Sequence, residues 1–416
     1  MAPRHDDFAA KSDQLDAEDP LAGFRDRFIT PADADIVSYL DGNSLGRPLA
    51  VTAQRVQAFI AEQWAGRLIR GWTDEWMDWP HRVGDQLGRV ALGAAAGQTV
   101  VADSTTVMLY KLARAAVDAR PGRTEIVLDT DNFPTDRYVM EGIAAERGLA
   151  LRWIESDTEA GITEEQVRAA VTDSTALAVF SHVAYRSGFM ADASAITRAV
   201  HSCGALVLWD LSHSVGSVPV ELDAWGADLA VGCTYKYLSG GPGSPAFGYV
   251  NARHHGALQQ PIWGWLGRRD PFEMAAGYDP APGMGSVLSG TPPILAMVPV
   301  IAGLELVEEV GMAAIRTKSL QLTDFVIELA QAWLVEHGAR IASPREHRER
   351  GGHITLMRPG FKELTAALWE VGVIPDYRQP DGIRIGVSPL STSFREVHDG
   401  LAALRELLAG GRAVNE

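Results

Sequence analysis

Short apolar runs alternate with longer segments of helical period through the middle of the chain. The apolar runs occupy residues 125–128, 149–154, 177–180, 206–209 and 229–231. Helix-like segments such as residues 164–171 and 194–203 lie between them. Strands separated by helices predict a mostly parallel sheet covered on both faces, which is the α/β class. Because ligands of such sheets bind beyond the carboxyl ends of the strands, we expect the functional residues there.

The pattern changes after residue 293. A long helix is predicted over residues 294–337, and shorter strands and helices follow at residues 354–356, 364–369, 382–387 and 395–408. This pattern predicts a smaller α+β domain. At 416 residues the chain exceeds what one hydrophobic core usually supports. We expect an N-terminal segment, residues 1–50, packed on the small domain, a large domain at 51–300 and the small domain at 301–416.

A lysine and an aspartate stand at the predicted ends of two strands. Lys236 lies between the apolar run 229–231 and a glycine-rich turn, and Asp210 ends the run 206–209. A buried amine tends to be neutral, and a neutral lysine amine forms Schiff bases. Pyridoxal phosphate (PLP) needs such a lysine for its aldehyde and a carboxylate for its ring nitrogen. Singly, each residue has an ordinary role in a turn or loop, but the pair favours PLP.

Two other segments could contact such a cofactor. Ser104, Thr105 and Thr106 crowd a predicted helix start, where free N–H groups and the helix dipole bind phosphate, although these residue types are also common caps. Phe133 lies in the turn after the strand at 125–128, where its ring either stacks on a pyridine or packs into the core.

Four more residues have both a structural and a functional interpretation. His213 is either a structural histidine or a donor to the cofactor. Tyr235 either packs in the core or binds phosphate and relays a proton. Arg384 forms either a surface ion pair or the clamp for a substrate carboxylate. Trp265, in a glycine-flanked loop, indicates a flat ligand or a subunit interface.

Composition restricts the partners. The chain carries 37 Lys and Arg against 53 Asp and Glu, a net charge of −16, which disfavours nucleic acid and anionic membranes. Its two cysteines, Cys203 and Cys233, are too few for a disulfide framework or a zinc site, so no metal is expected. Residues 1–20 lack the apolar run of a signal peptide, and the apolar segment 294–307 is shorter than a membrane span. We expect a cytoplasmic protein.

With these residues in place, the chain resembles the kynureninases, the PLP-dependent hydrolases that convert L-kynurenine and water to anthranilate and L-alanine. The resemblance spans most of the chain, and its motifs are specific in order and wording. They lie at residues 39–46, 133–136, 210–216, 234–243, 264–267, 291–295 and 382–384.

The resemblance implies PLP fold type I, that of aspartate aminotransferase, and a homodimer whose active sites are completed by the neighbouring subunit. It implies that Lys236 binds the cofactor covalently, that Asp210 pairs with the pyridine nitrogen and that Tyr235 relays a proton. The other implied cofactor-binding residues are Thr105, Thr106, Phe133, Thr135, Asp136, Ser181, His213, Trp265 and Thr291, the last two from the neighbouring subunit. The implied substrate-binding residues are Asn43, Ser44, Trp72 and Arg384.

Two positions depart from relatives. Trp72 stands where animal members carry histidine, and Gly290-Thr291 replaces a serine-asparagine pair. An indole offers stacking in place of a hydrogen bond, which favours kynurenine over 3-hydroxykynurenine. The alternatives are a class V aminotransferase, a cysteine desulfurase or a non-catalytic regulator of the same fold. A desulfurase needs a thiolate on a mobile loop, whereas Cys203 ends a predicted helix and Cys233 lies in the predicted strand that leads to Lys236.

Overall fold

The computed structural model describes residues 5–30 and 35–410. The strands in these ranges are β1 Ser38–Tyr39, β2 Thr99–Ala102, β3 Glu125–Asp129, β4 Ala150–Ile154, β5 Thr175–Ser181, β6 Leu206–Asp210, β7 Leu229–Gly232, β8 Ala246–Val250, β9 Arg340–Ile341, β10 His353–Met357, β11 Val373–Ile374, β12 Asp376–Arg378 and β13 Gly382–Gly386. The α-helices are α1 His5–Glu18, α2 Ala50–Ala58, α3 Ala65–Arg67, α4 Trp79–Leu87, α5 Thr105–Asp118, α6 Pro134–Arg147, α7 Glu164–Ala170, α8 Ala193–His201, α9 Leu222–Trp225, α10 Ile294–Val310, α11 Met312–Trp333, α12 Phe361–Glu370 and α13 Phe394–Ala409.

The large sheet has seven strands in the order β2-β8-β7-β6-β5-β3-β4. Neighbours from β7 to β4 are parallel, whereas β8 is antiparallel to both β7 and β2. The five predicted strands are therefore present, and the predicted mostly parallel sheet is confirmed. The antiparallel β8 was not predicted, because its direction is set by the turn after Lys236 and not by its apolar residues.

Both faces of this sheet are buried, which explains why its strands are continuously apolar. Along β6, Val207 and Trp209 belong to the core on one face, and Leu206 and Leu208 belong to the core on the other. Side chains alternate between the faces of a strand, so a strand covered on both sides needs apolar residues at every position.

The small domain is built on an antiparallel sheet in the order β12-β13-β10-β9. The N-terminal segment packs on it: β1 pairs with β11, and Phe8 of α1 lies in the same core as residues of α11 and α13. The predicted boundary at residue 300 falls inside α10, so the division into 51–300 and 301–416 stays a prediction. Parts of the predicted end segments, residues 1–4, 31–34 and 411–416, lie outside the described residues.

The prediction of one continuous helix over residues 294–337 is wrong, because the helix is interrupted at residue 311. Gly311 has φ +81°, so α10 ends at Val310 and α11 begins at Met312. Glycine takes this conformation without the steric cost that other residues incur. Within the described ranges, no helix combines the length and the apolar composition that crossing a bilayer requires.

Candidate active site

The predicted site residues of the large sheet lie at one edge, where the parallel strands end. Ser181 ends β5 and is paired in register with Asp210, which ends β6. Lys236 lies four residues beyond the end of β7, the next strand in the sheet. The helix α5 begins at the same edge, because β2 and β7 are both antiparallel to β8 and so run in the same direction. The topology therefore brings these groups together.

Lys236 presents its amine to a histidine inside the protein. The Lys236 side chain is buried, and its Nζ lies 3.0 Å from Nε2 of His213. Burial lowers the pKa of Lys236, although Cys233 and Asp210 oppose this shift. Burial and the nearby Lys236 amine lower the pKa of His213 well below its ordinary value, so its imidazole is neutral. A lysine amine that loses its proton easily is suited to nucleophilic and base chemistry.

Two carboxyl groups, those of Asp210 and Asp136, lie near Lys236 and near each other. Asp210 accepts a hydrogen bond of 2.8 Å from the backbone N–H of Ser212 through Oδ1. Asp136, in the first turn of α6, is buried, and burial together with the charge of Asp210 raises its pKa well above its ordinary value. Among the described residues, Oδ2 of Asp136 makes no hydrogen bond of standard geometry, although the Asp210 carboxyl faces this residue. An orphaned buried oxygen is costly, so a ligand with a donor fits here.

Asn132, which the sequence did not single out, fixes the start of α6. Its amide donates to the carbonyl of Val179 at 3.0 Å. Its Oδ1 accepts from the Ser181 hydroxyl at 3.0 Å and from the backbone N–H of Phe133 at 2.8 Å. The Phe133 ring is thereby held edge-on to Tyr185, with the ring centroids 5.4 Å apart. The only sequence signal for Asn132 was its place beside Phe133 in a turn after a strand.

Two residues that are predicted to bind phosphate, Thr105 and Thr106, lie at the start of α5. Ser104 is the cap, since its Oγ accepts from the backbone N–H of Val107 at 3.4 Å. Thr105 is half-buried and Thr106 is exposed in the first turn that follows. Thr135 is likewise half-buried in the first turn of α6. These helix starts leave N–H groups directed at the edge of the sheet, where an anion can bind.

Tyr235 is half-buried beside the predicted lysine. Burial and the neighbouring Cys233 raise the pKa of its phenol, so the hydroxyl keeps its proton and remains a donor. Its backbone carbonyl accepts from the N–H of Gly46, 2.9 Å away, which ties the N-terminal segment to the lysine-bearing loop.

Arg384 lies on β13 and is buried, so the alternative of a surface ion pair is wrong. Its Nη1 donates to the carbonyl of Tyr185 at 2.7 Å, and its Nη2 donates to the hydroxyl of Ser44 at 2.8 Å. With the Asn43 amide oriented to satisfy both neighbours, its oxygen accepts from Arg384 Nε at 2.8 Å. The predicted substrate-binding residues Asn43, Ser44 and Arg384 are therefore in direct contact.

Two carboxylates complete the surroundings of Arg384. Asp376 lies opposite it in the β12–β13 register, with Oδ2 2.5 Å from Nη2. Asp41 Oδ1 lies 4.0 Å from the same nitrogen. Burial and the charge of Asp376 raise the pKa of Asp41 to about 6. Sequence reasoning missed Asp376, because only the strand register places it opposite the arginine.

Three predicted residues lie elsewhere on the molecule. Trp72 packs edge-on against Trp76, with ring centroids 5.5 Å apart, beside the core of the large domain. Trp265 is partly exposed near Phe272, with ring centroids 5.9 Å apart. Thr291 is exposed in the loop before α10. Their predicted contacts with substrate or with a neighbouring subunit stay predictions.

The residues at the sheet edge fit PLP. The amine of Lys236 is buried at a strand end, Asp210 lies at the end of the adjacent strand, and Asp136 has a buried oxygen without a hydrogen bond of standard geometry among the described residues. The start of α5 supplies free N–H groups for a phosphate. These residues would hold PLP through the lysine amine, the ring nitrogen and the phosphate.

Solved structures with the same fold support this class. A cysteine desulfurase from Thermococcus onnurineus is 18% identical, with a TM-score of 0.78, over 90% of this chain and 95% of that one. A variant of the protein C-DES with glycine covalently linked to its PLP cofactor is 17% identical, with a TM-score of 0.80, over 92% of this chain and 99% of that one. The fold and the site define a PLP enzyme of fold type I.

Comparison with curated proteins narrows the class to one family. Kynureninase from Pseudomonas fluorescens is 43% identical over 402 residues, covering 95% of this chain and 94% of the relative. Kynureninase from Burkholderia pseudomallei is 43% identical over 401 residues, with the same coverage. The kynureninase C-terminal domain family matches residues 315–404. The chain belongs to the kynureninase family, as its sequence motifs led us to expect.

Proposed function

We propose that this protein hydrolyses L-kynurenine to anthranilate and L-alanine with PLP bound to Lys236. The observation that carries the proposal is the buried Lys236 amine, 3.0 Å from His213, with the carboxylate of Asp210 at the adjacent strand end. A second group, Arg384, lies across the site with a donor set that suits a carboxylate. An amine-binding group and a carboxylate-binding group together fit an amino-acid substrate.

Bound PLP supplies an electron sink for the pair of electrons left when a bond at the substrate breaks. Asp210, at the end of the strand next to the lysine-bearing segment, would pair with the ring nitrogen. Phe133, whose backbone N–H donates to Asn132, would stack on the cofactor ring. Thr105, Thr106, Thr135 and Ser181 would hold the phosphate and the ring substituents, and His213 contacts the lysine that would carry the cofactor.

Proton transfer falls to Lys236 and Tyr235. Lys236 takes the proton from the substrate Cα, because burial lowers the pKa of its amine and leaves it able to act as a base. Tyr235 keeps its proton at neutral pH and donates it during cleavage. Water adds to the keto carbon next to the aromatic ring; its hydroxyl ends in the carboxyl group of anthranilate, and a proton completes the methyl group of alanine.

Arg384 and its neighbours orient the substrate. The guanidinium is held by Ser44, Asn43 and the carbonyl of Tyr185, so it loses little freedom when it binds a carboxylate. Trp72 lies apart from these groups, against Trp76, so its contact with the kynurenine ring stays a prediction.

The working form is a homodimer in the cytoplasm. The loop around Trp265 exposes several large apolar side chains, which is typical of a subunit interface. They are Ile262, Trp263, Trp265, Phe272 and Met274. Trp265 and Thr291 reach the cofactor phosphate of the neighbouring subunit, and size-exclusion chromatography with light scattering tests the dimer.

The alternatives have less support. A cysteine desulfurase needs a reactive thiolate, yet Cys233 is buried and burial raises the pKa of its thiol. Cys203 is held at the end of α8, with Sγ 3.2 Å from the carbonyl of Val200. A class V aminotransferase and a non-catalytic regulator remain distinguishable only by assay.

Fluorescence of anthranilate tests the proposal directly. Purified, PLP-loaded protein should release anthranilate and alanine in equal amounts from L-kynurenine. Transfer of the amino group to a keto acid without anthranilate would identify an aminotransferase instead, and absence of both reactions would identify a regulator.

A further inference from the structure

A second buried histidine, His353, lies against the histidine that contacts the lysine. The ring centroids of His213 and His353 are 5.6 Å apart, with the planes at 56°. His353 begins β10 of the small domain and is fully buried. Neither the sequence motifs nor the proposed mechanism assigns it a role.

The strand register turns His353 toward the lysine. Thr355 is paired with Arg384 across β10 and β13, and His353 lies two residues before Thr355 on the same face of the sheet. Arg384 and His353 therefore lie on the same face of the small sheet, the face that is directed at the large domain.

The space for this ring is made by a glycine. Gly188 has φ +72°, and a Cβ at that position would lie 2.7 Å from the backbone oxygen of His353 and 3.3 Å from its Nε2. Any other residue would be strained there and would press on the imidazole. The fold thus keeps the histidine ring in close contact with the loop from the large domain.

Both imidazoles have unused hydrogen-bonding capacity. Nδ1 of His213 is buried without a partner among the described residues. The ring nitrogens of His353 make no hydrogen bond of standard geometry there either, although the carbonyl of Arg186 faces one of them. Buried polar atoms in this state are commonly bridged by an ordered water molecule.

The charges around the pair keep both rings neutral. Lys236, Arg384 and Arg378 face both histidines, and these cations add to burial in lowering the pKa of each. A neutral imidazole has one N–H donor and one acceptor nitrogen, and the bond made by one nitrogen sets the tautomer at the other.

We propose that His353 is a positioning residue that, through one bound water molecule, holds the proton of His213 on Nδ1 and leaves Nε2 to accept a hydrogen bond from Lys236. His353 touches neither cofactor nor substrate in this role. The inference rests on the proposed function, because that function makes Lys236 the group whose orientation matters.

The first test measures the lysine in the apoprotein, where turnover plays no part. Acetylation of Lys236 by acetic anhydride is followed by mass spectrometry over a pH series in wild type, His353→Phe and His353→Gln. In His353→Phe, Nε2 of His213 would no longer accept a hydrogen bond from Lys236, so the charged form of the amine is stabilised less. The pH midpoint of Lys236 labelling should therefore fall by about half a pH unit or more. The glutamine variant should restore it, since an amide oxygen can accept from Nδ1–H.

Two further measurements use the holoenzyme. In His353→Phe, kcat for anthranilate release should fall by up to about 100-fold with little change in KM, because Lys236 is misoriented while the carboxylate clamp stays in place. A crystal structure should show an ordered water within hydrogen-bond distance of His213 Nδ1 and of a His353 ring nitrogen.

His398→Phe is the matched control, since His398 is also buried in the small domain, where it packs on Trp333. It should lose stability without moving the labelling midpoint. An unchanged midpoint in His353→Phe, failure of the glutamine variant to restore it, or a dry space between the rings would overturn the inference. A wild type that releases no anthranilate would overturn the proposed function instead, while the apoprotein labelling still tests His353.

Discussion

Two groups on opposite sides of the site differ in how far the chain satisfies their polar atoms. On the large-sheet side, Oδ2 of Asp136 is buried and makes no hydrogen bond of standard geometry among the described residues. On the small-sheet side, Arg384 has an acceptor for each of its three nitrogens. Asp136 can therefore still contact a ligand, whereas Arg384 is already held in place.

This difference separates the expected effects of substitution. Changes on the large-sheet side should alter how the cofactor is bound, because its donors and acceptors complete the site there. Changes on the small-sheet side should leave the cofactor in place and alter the affinity for substrate. Absorbance of the bound cofactor reports the first effect, and KM reports the second.

The largest effect is expected for Lys236→Ala on the large-sheet side. Loss of the amine removes both the covalent attachment and the base, so kcat should fall by about 1,000-fold, with loss of the absorbance band of the lysine-bound cofactor. Lys318→Met is the matched control, because Lys318 is also buried, 2.6 Å from Asp19. Loss of stability with the band intact is expected for the control. An unaltered band in Lys236→Ala would show that another residue binds the cofactor.

Arg384→Met should have the next largest effect, on the opposite side. Removal of a charged hydrogen-bond donor set should raise KM for L-kynurenine about 10- to 100-fold while the cofactor band persists. Arg384→Lys should recover little, since an ammonium cannot reproduce the fork of donors that the three neighbours hold. A cofactor band that disappears with normal KM would mean that Arg384 belongs to the cofactor side.

Asn132→Ala sharpens the comparison within the large-sheet side. It removes the hydrogen bonds to Phe133 and Ser181, at about 1 kcal/mol each, so PLP should bind about 5- to 30-fold more weakly. Ser181→Ala removes only one of these bonds and should have the smaller effect. Wild-type PLP affinity in Asn132→Ala, measured by equilibrium dialysis, would show that Asn132 has no part in holding the ring.

The smallest effect concerns Asp41 beside Arg384. Its pKa is about 6 in the folded protein, above the ordinary value of 3.8. Between about pH 4 and pH 6 the unfolded chain loses this proton first, so the free energy of unfolding falls as pH rises through that window. Asp41→Asn should flatten this fall, measured by urea unfolding at several pH values. If the free energy of unfolding of Asp41→Asn depends on pH as it does in the wild type, a group other than Asp41 causes the fall.

The sequence predicted the large-sheet side well, because its chemistry sits at strand ends. Apolar runs locate the ends of β5, β6 and β7, and parallel strands bring Ser181, Asp210 and the Lys236 loop to one edge. Contacts between distant segments could not be predicted in this way. The Asp376–Arg384 pair depends on strand register, and the contact between His353 and His213 depends on how the two domains pack.

The central claim is that Lys236 carries the cofactor, and reductive trapping tests it most directly. Holoprotein is treated with borohydride, digested and mapped by mass spectrometry, so that the residue bonded to PLP is identified. The account predicts a phosphopyridoxyl group on the peptide that contains Lys236, and none on the peptides of the other buried lysines, Lys111 and Lys318. A label on another lysine, or holoprotein without any label, would contradict it.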